Sequence, residues 1–408
     1  MKAVQFELNL PKYAFTKAAG KLKPSFYTHR SLSCLQMKDV EKPRLPDDDW
    51  VEVKVTYGGI CGSDLNLISL KDSPATSPFI SFPFTLGHEI TGTISKTGDK
   101  ATELAEGDRV VIDPILACEV RGISPKCSEC EKGNYNLCEH MNKGSISPGL
   151  LTGTCKDTGG SWSQYVVAHK SQIIPIPDNV SDENGVLVEP FSCALHTVMQ
   201  NRPKPSDHVF IIGAGVIGIC AVAAIRALDI PCKITVLAKY QFQKELASSF
   251  GADEVVLHSR KKDYVSELAK SFNAQVLNPV FGQPIVNGGA DIVFECVGNK
   301  HSLHDAIRFT KKGGTLALLG LASVVENLDM TMIWLNELKI HGSFCYGTEE
   351  YEGKPKRTLQ IAVELLAQKK VDLTPLITHR FPLDNYQEAL DVSSNKSKNH
   401  SMKVLLEP

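Results

Sequence analysis

The sequence predicts an α/β protein in which a doubly wound parallel-sheet domain is inserted within a mostly-β domain. Three features predict it. Short strands with period-two alternation, broken by Gly and Pro, fill the first part of the chain. From about Asp182 apolar strands alternate with helical stretches, the βαβ texture of a parallel sheet. From about His341 short strands return around one helix. The expected boundaries are 1–190, 191–340 and 341–408.

The elements follow in order. "WVEVKVTYG" alternates as a half-buried strand should, and "ITGTISKTG" and "DRVVIDP" continue in that style. A cysteine-rich loop and "SWSQYVVAH" come next. "SDENGVLVEPFSCALHTVMQN" reads as helical, with Ser181 as its N-cap. "HVFIIGAG" is a strand and turn, "VIGICAVAAIRAL" a helix, "CKITVLA" a strand, and "QKELASSFGAD" a helix ending at Gly251. "EVVLH", "ADIVFECVG", "SLHDAIRFTKKGG" and "TLALLGL" extend the alternation, and the tail holds the helix "PKRTLQIAVELLAQKK".

Composition excludes several classes. At 408 residues, with 42% hydrophobic and 22% charged, the chain is an ordinary globular protein with room for two domains. A net charge of −2 gives no general attraction to nucleic acid or an anionic membrane. The run Val209–Ile225 imitates a membrane span but is short for one and carries three glycines near its start. The N-terminal "MKAVQFELNLPKYAF" interrupts its apolar residues with charges and lacks the h-region of a signal peptide, so a cytoplasmic location is expected. Of twelve cysteines, four cluster between Cys118 and Cys138 and eight are scattered, which points to metal binding in a reducing compartment.

Three motifs carry chemistry. "GAGVIG", Gly213, Ala214, Gly215, Val216, Ile217 and Gly218, follows an apolar strand and opens a helix, as a dinucleotide site requires. Gly213 permits the tight turn, Gly215 lets backbone approach a pyrophosphate, and Gly218 lets helix and strand pack closely. Cys118, Cys127, Cys130 and Cys138 have zinc-knuckle spacing, and four thiolates make a closed site suited to a structural role. The rival redox reading of Cys127-x-x-Cys130 lacks a thioredoxin-like surround. "TLGHEI" pairs His88 with Glu89, but Gly92 stands where a zinc protease needs its second histidine. Alone, that pair would be a surface accident.

With "GICGSD", "LGHEITGTI", "GDRVV", "CSECEKGNYNLC", "EPFSCALH" and "GAGVIG" in this order, the chain resembles the zinc-dependent medium-chain dehydrogenase/reductase family over nearly its whole length. The resemblance implies a Rossmann nucleotide domain within a GroES-like catalytic domain, and two zinc ions per chain. It implies Cys61, His88 and Glu189 as catalytic-zinc ligands, with Glu89 as an adjacent carboxylate able to enter or leave the metal shell. The Glu189 form is similar to the sorbitol and threonine dehydrogenase branch. Two carboxylates and one thiolate make a harder site than Cys₂His. The implied reaction is hydride transfer between a small alcohol or polyol, or its carbonyl, and a nicotinamide, with Ser63 passing on the proton. Zinc-free quinone or enone reductases share the scaffold, and a zinc- and nucleotide-binding sensor is a non-enzymatic alternative; the ligand set and relay serine argue against both.

Three departures stand out. Asn66 occupies the place of the family's relay histidine. An insertion of about twenty residues, "NLPKYAFTKAAGKLKPSFYTHR", interrupts the usual start and reads as a lid, a partner surface or packing. The gap from Cys118 to Cys127 is long, which makes Cys118 the outlying lobe ligand. Cys193 and His196 are expected to be packed core residues, and Trp334 is too isolated to interpret. By resemblance "ELKIHGSF", Glu337–Phe344, sits at a sheet edge that pairs across a two-fold axis, so a homodimer or homotetramer is expected. Counting along the second βα unit places Ala238 where an NAD enzyme has an acidic residue, with Lys239 beside it. NADP(H) is therefore expected over NAD(H).

Overall fold

The computed structural model describes residues 1–29, 31–258 and 263–408. The chain forms two compact units, Met1–Glu189 with Glu350–Pro408, and Pro190–Glu349.

In the first unit the strand Trp50–Gly59 is central. It pairs antiparallel with Ile90–Thr97, Tyr165–His169 and Lys403–Glu407. The sheet extends through Arg109–Ile112 to Ile173–Pro175 on one side and to Ile377–Pro382 on the other. Its alternation has the expected cause. Val51, Val53 and Val55 enter one apolar cluster with Ile90, Ile94, Val110 and Val166, while Lys54 is exposed. Leu405 lies opposite Gly59, so a strand from the end of the chain completes a sheet begun near its start.

This register builds the site. The Gly59 N–H donates to the Glu89 carbonyl at 3.1 Å, and the Ile60 N–H to the Val404 carbonyl at 3.0 Å. Residues 61, 88–89 and 403 are thereby brought to one place. Gly59 is required there, because a Cβ would stand 1.8 Å from Glu89 Oε2.

The N-terminal insertion forms a helix, Leu10–Leu22, capped by Asn9, whose side chain accepts from the Lys12 N–H at 3.1 Å. A short turn, Pro24–Thr28, follows. Thr16 is buried and donates to the Leu32 carbonyl. Tyr13 and Tyr27 pack against the cluster holding Val4, Phe6, Leu35 and Phe84. Arg30, within the insertion, lies outside the described residues.

In the second unit six parallel strands lie in the order Glu254–Leu257, Lys233–Ala238, His208–Ile212, Ala290–Glu295, Thr310–Leu318 and Lys339–Gly342. The first strand in sequence sits third, so the order reverses beside it. The crevice at such a reversal, outside the carboxyl ends of the strands, is where ligands bind in doubly wound sheets. The run Val209–Ile225 resolves into strand, turn and the buried helix Val216–Ala227. Among the described residues no helix is long and apolar enough to cross a membrane. The helical stretch after Ser181 breaks at Leu187 into Asp182–Val186 and Val188–Gln200.

Candidate metal and cofactor sites

Cys61 caps the helix Gly62–Ile68, immediately after the central strand. His88 and Glu89 lie in the turn before Ile90–Thr97. Gly87 opens that turn at φ +95°, where a Cβ would overlap Ser161 and Trp162. One ligand atom each from Cys61, His88 and Glu89 lies within 4.8 Å of the others. His88 is 7% exposed and Glu89 fully buried. Glu189, in the first turn of Val188–Gln200, is 6% exposed and is not one of these three. Ser63 and Asn66 are half-buried, one turn apart on the helix that Cys61 caps.

Two residues that sequence reasoning missed orient the site. Asp64 accepts the Cys61 N–H at 2.8 Å, and its other oxygen is 3.6 Å from His88 Nδ1. Burial opposes a charged His88, yet Asp64 and the Cys61 thiolate hold its pKa well above the usual value. Lys403 donates to both oxygens of Glu89, at 2.5 and 2.6 Å, and to the Ile60 carbonyl at 3.3 Å. Desolvation works against this buried ammonium, but Glu89, Cys61 and Glu189 keep its pKa raised. The Asp64 signal was available as a carboxylate in helical register behind a cysteine. No spacing rule reaches from Glu89 to Lys403.

A thiol, an imidazole and a buried carboxylate in one place form a donor set of the kind that binds a divalent cation, and zinc fits it. Zinc fits the cysteine lobe too. The ligand sulfurs of Cys118, Cys127, Cys130 and Cys138 also lie within 4.8 Å of one another. Cys118 and Cys138 are 3.6 Å apart, close to the roughly 3.8 Å edge of a tetrahedron with zinc–sulfur bonds of about 2.3 Å. Among the described residues every cysteine is a free thiol. Desolvation works against the Cys127 thiolate, but backbone N–H donors bring its pKa down to about 7, whereas burial pushes Cys138 up to about 11.

The long gap from Cys118 to Cys127 has a structural use. It carries Arg121, a fully buried guanidinium that donates to the carbonyls of Leu116, Lys143, Ile146, Ser147 and Gly149. These bonds gather the backbone around the lobe. Tyr135, between the third and fourth cysteines, lies under the Arg357 guanidinium, which pairs with buried Asp113.

The glycine loop has the shape that a dinucleotide needs. Gly213 adopts φ +97°. At Gly218 a Cβ would lie 1.8 Å from the Gly213 carbonyl oxygen. At Gly215 a Cβ would meet nothing within 4 Å, so the space over this helix N-terminus is open. Val216 and Ile217 begin the helix. The Gly213 N–H donates to the Leu237 carbonyl, which places Ala238, fully buried, and Lys239, exposed, beside the loop. The Lys239 ammonium stands 5.4 Å from the Tyr240 ring centroid.

Cys193 and His196 are half-buried rather than fully enclosed, and His196 Nδ1 hydrogen-bonds Glu349, which also accepts from Gln200 at 2.8 Å. Trp334 is exposed near the edge strand Lys339–Gly342.

A parallel sheet with an open glycine loop, and a separate unit with a metal donor set, define a nucleotide-linked metallo-oxidoreductase. Residues 47–178 match the model of the alcohol dehydrogenase GroES-like domain, and residues 216–359 that of the zinc-binding dehydrogenase domain. The chain is 30% identical to an L-idonate 5-dehydrogenase of Vitis vinifera, over 84% of each chain. It is 30% identical to a sorbitol dehydrogenase of Bacillus subtilis, over 90% of this chain and 94% of that one. A solved zinc-binding dehydrogenase from Sinorhizobium meliloti, bound to NADP, is similar at 28% identity and a TM-score of 0.71, covering 92% of this chain and 96% of that one. The chain belongs to the zinc-type medium-chain dehydrogenase/reductase family and is an NAD(P)-dependent oxidoreductase.

Proposed function

We propose that this protein is a zinc-dependent polyol dehydrogenase with two zinc ions per chain and a preference for NADP(H). The observation that carries the metal reading is the convergence of Cys61, His88 and a buried carboxylate. The polyol reading rests on the sorbitol and idonate dehydrogenases among its relatives.

Zinc bound there would supply a Lewis acid that lowers an alcohol's pKa, and a bound nicotinamide would provide the hydride acceptor for oxidation of the alcohol to a carbonyl. Cys61 and His88 would hold the metal, with Glu189 as the third ligand on the family resemblance and Glu89 the carboxylate that lies with them. Glu89 is kept beside them by Lys403, which engages both of its oxygens. Asp64 fixes Cys61 by its backbone bond and orients the His88 ring. Ser63 would accept the alcohol proton as its own hydroxyl proton leaves to water or another group, because the Asn66 amide cannot carry a proton onward. Gly213, Gly215 and Gly218, with the amides of Val216 and Ile217, would receive the pyrophosphate. Ala238 leaves room for a 2′-phosphate beside Lys239.

Metal analysis tests this. Protein purified without chelator should hold two zinc ions per chain, and Cys127→Ser should lose one and unfold more easily. One zinc or none in the unmodified protein would contradict the reading.

We also propose a homodimer or homotetramer built on the edge strand Lys339–Gly342. Its support is an open sheet edge with Trp334, Leu335 and Ile340 exposed around it. Sedimentation should give a multiple of the 44.6 kDa chain, and a monodisperse monomer at working concentration would refute it.

A further inference from the structure

The sulfur farthest from its companions along the sequence of the cysteine lobe is that of Cys118. Cys127, Cys130 and Cys138 share one short loop, whereas Cys118 arrives from the preceding segment, across the stretch that carries Arg121. Its thiol is fully buried. Four thiolates around a divalent ion leave a net charge of −2 in this enclosed place, and such charge needs N–H donors to be tolerated.

Two nitrogens reach the Cys118 sulfur. The Cys127 N–H lies 3.4 Å away, and His140 Nδ1 lies 3.4 Å away. His140 also gives its backbone N–H to Cys138 Sγ at 3.4 Å. One residue therefore contacts two of the four sulfurs, one through its main chain and one through its ring. The main-chain bond fixes the residue, and the ring then reaches across to the outlying sulfur. His140 is half-buried and lies just beyond the last cysteine, outside the ligand spacing that identifies the lobe.

We propose that His140 is a positioning residue of the structural metal lobe, whose Nδ1–H donates to the Cys118 thiolate and keeps that sulfur on the metal. The proposal rests on zinc occupying the lobe. The ring presents a protonated Nδ1 to the sulfur, because a bare Nδ1 facing a thiolate would set two lone pairs against each other. The N–H bond disperses charge from the sulfur and opposes its departure, which makes Cys118 release the controlling step in metal loss.

The test begins with zinc content. If the unmodified protein holds no lobe zinc, the two-metal reading fails, and this proposal with it. If zinc is present, its transfer from the lobe to a chromophoric chelator is timed near neutral pH. His140→Phe keeps the ring and the backbone bond but removes the donor, and release should become about tenfold faster. His140→Asn retains a side-chain N–H and should restore much of the difference. Polyol turnover before zinc loss should be the same in all three proteins. Release from His140→Phe at the unmodified rate, or equally fast release from Phe and Asn variants, would overturn the proposal. A measurement on the unmodified zinc-loaded protein covers the case of a variant that does not fold. Ring ¹⁵N shifts of His140 should show a protonated Nδ1, and a bare Nδ1 with the proton on Nε2 would overturn it.

Discussion

The His88→Ala and Cys61→Ala variants should lose polyol turnover by about three orders of magnitude or more, because the metal's charge stabilisation is worth several kcal/mol. Dinucleotide binding should survive, since the glycine loop is built by the separate unit Pro190–Glu349. Steady-state rates, with fluorescence titration of the reduced cofactor, separate the two effects. Near-normal turnover in either variant would remove the metal from the mechanism. Glu189→Ala refines the test. If Glu189 is the third ligand, that variant loses zinc or activity. If it keeps both, the third ligand is Glu89, and the grip of Lys403 on its two oxygens must loosen when metal binds.

Cofactor choice should turn on two residues at the end of Lys233–Ala238. An acidic residue there accepts hydrogen bonds from the ribose hydroxyls and repels a 2′-phosphate. Ala238 has no charge, and Lys239 adds an exposed cation next to the site. A charged hydrogen bond contributes roughly 1.5–3 kcal/mol, about one to two orders of magnitude in affinity. Lys239→Ala should weaken NADP(H) by that factor and leave NAD(H) nearly unchanged, while Ala238→Asp should move the preference toward NAD(H). Comparison of kcat/KM for the two cofactors reads both effects. Equal or better efficiency with NAD(H) in the unmodified protein would show that Lys239 turns away from the ribose, toward Tyr240.

Much of the architecture was legible because local rules and tertiary packing agree. Ser181 does cap its helix, accepting the Asn184 N–H at 3.2 Å, and Gly251 follows the helix Gln241–Ser249 at φ +102°. The glycine spacing at 213, 215 and 218 encodes a turn, an open approach and a close contact, all local geometry. What the sequence hid is non-local or irregular. The break at Leu187 is flanked by Gly185 and by Pro190, which sits in the first turn of the second helix, yet the stretch reads as one continuous helical pattern. Asn9 and Pro11 signal the start of the helix Leu10–Leu22, but that signal was passed over as part of an insertion. Nothing local in the sequence marks Arg121 for burial, yet its guanidinium organises the lobe. Lys403 lies 314 residues from Glu89, and only the pairing of the last strand with the central one joins them.

The most direct measurement is the initial rate of NADP⁺ reduction over a panel of small polyols, made before zinc removal, after it and after zinc is restored. The account predicts oxidation of at least one polyol, loss of that rate on chelation and its recovery with zinc. Chelation that removes the metal but leaves polyol oxidation unchanged, or a zinc-replete protein that oxidises no polyol with either cofactor, would contradict it.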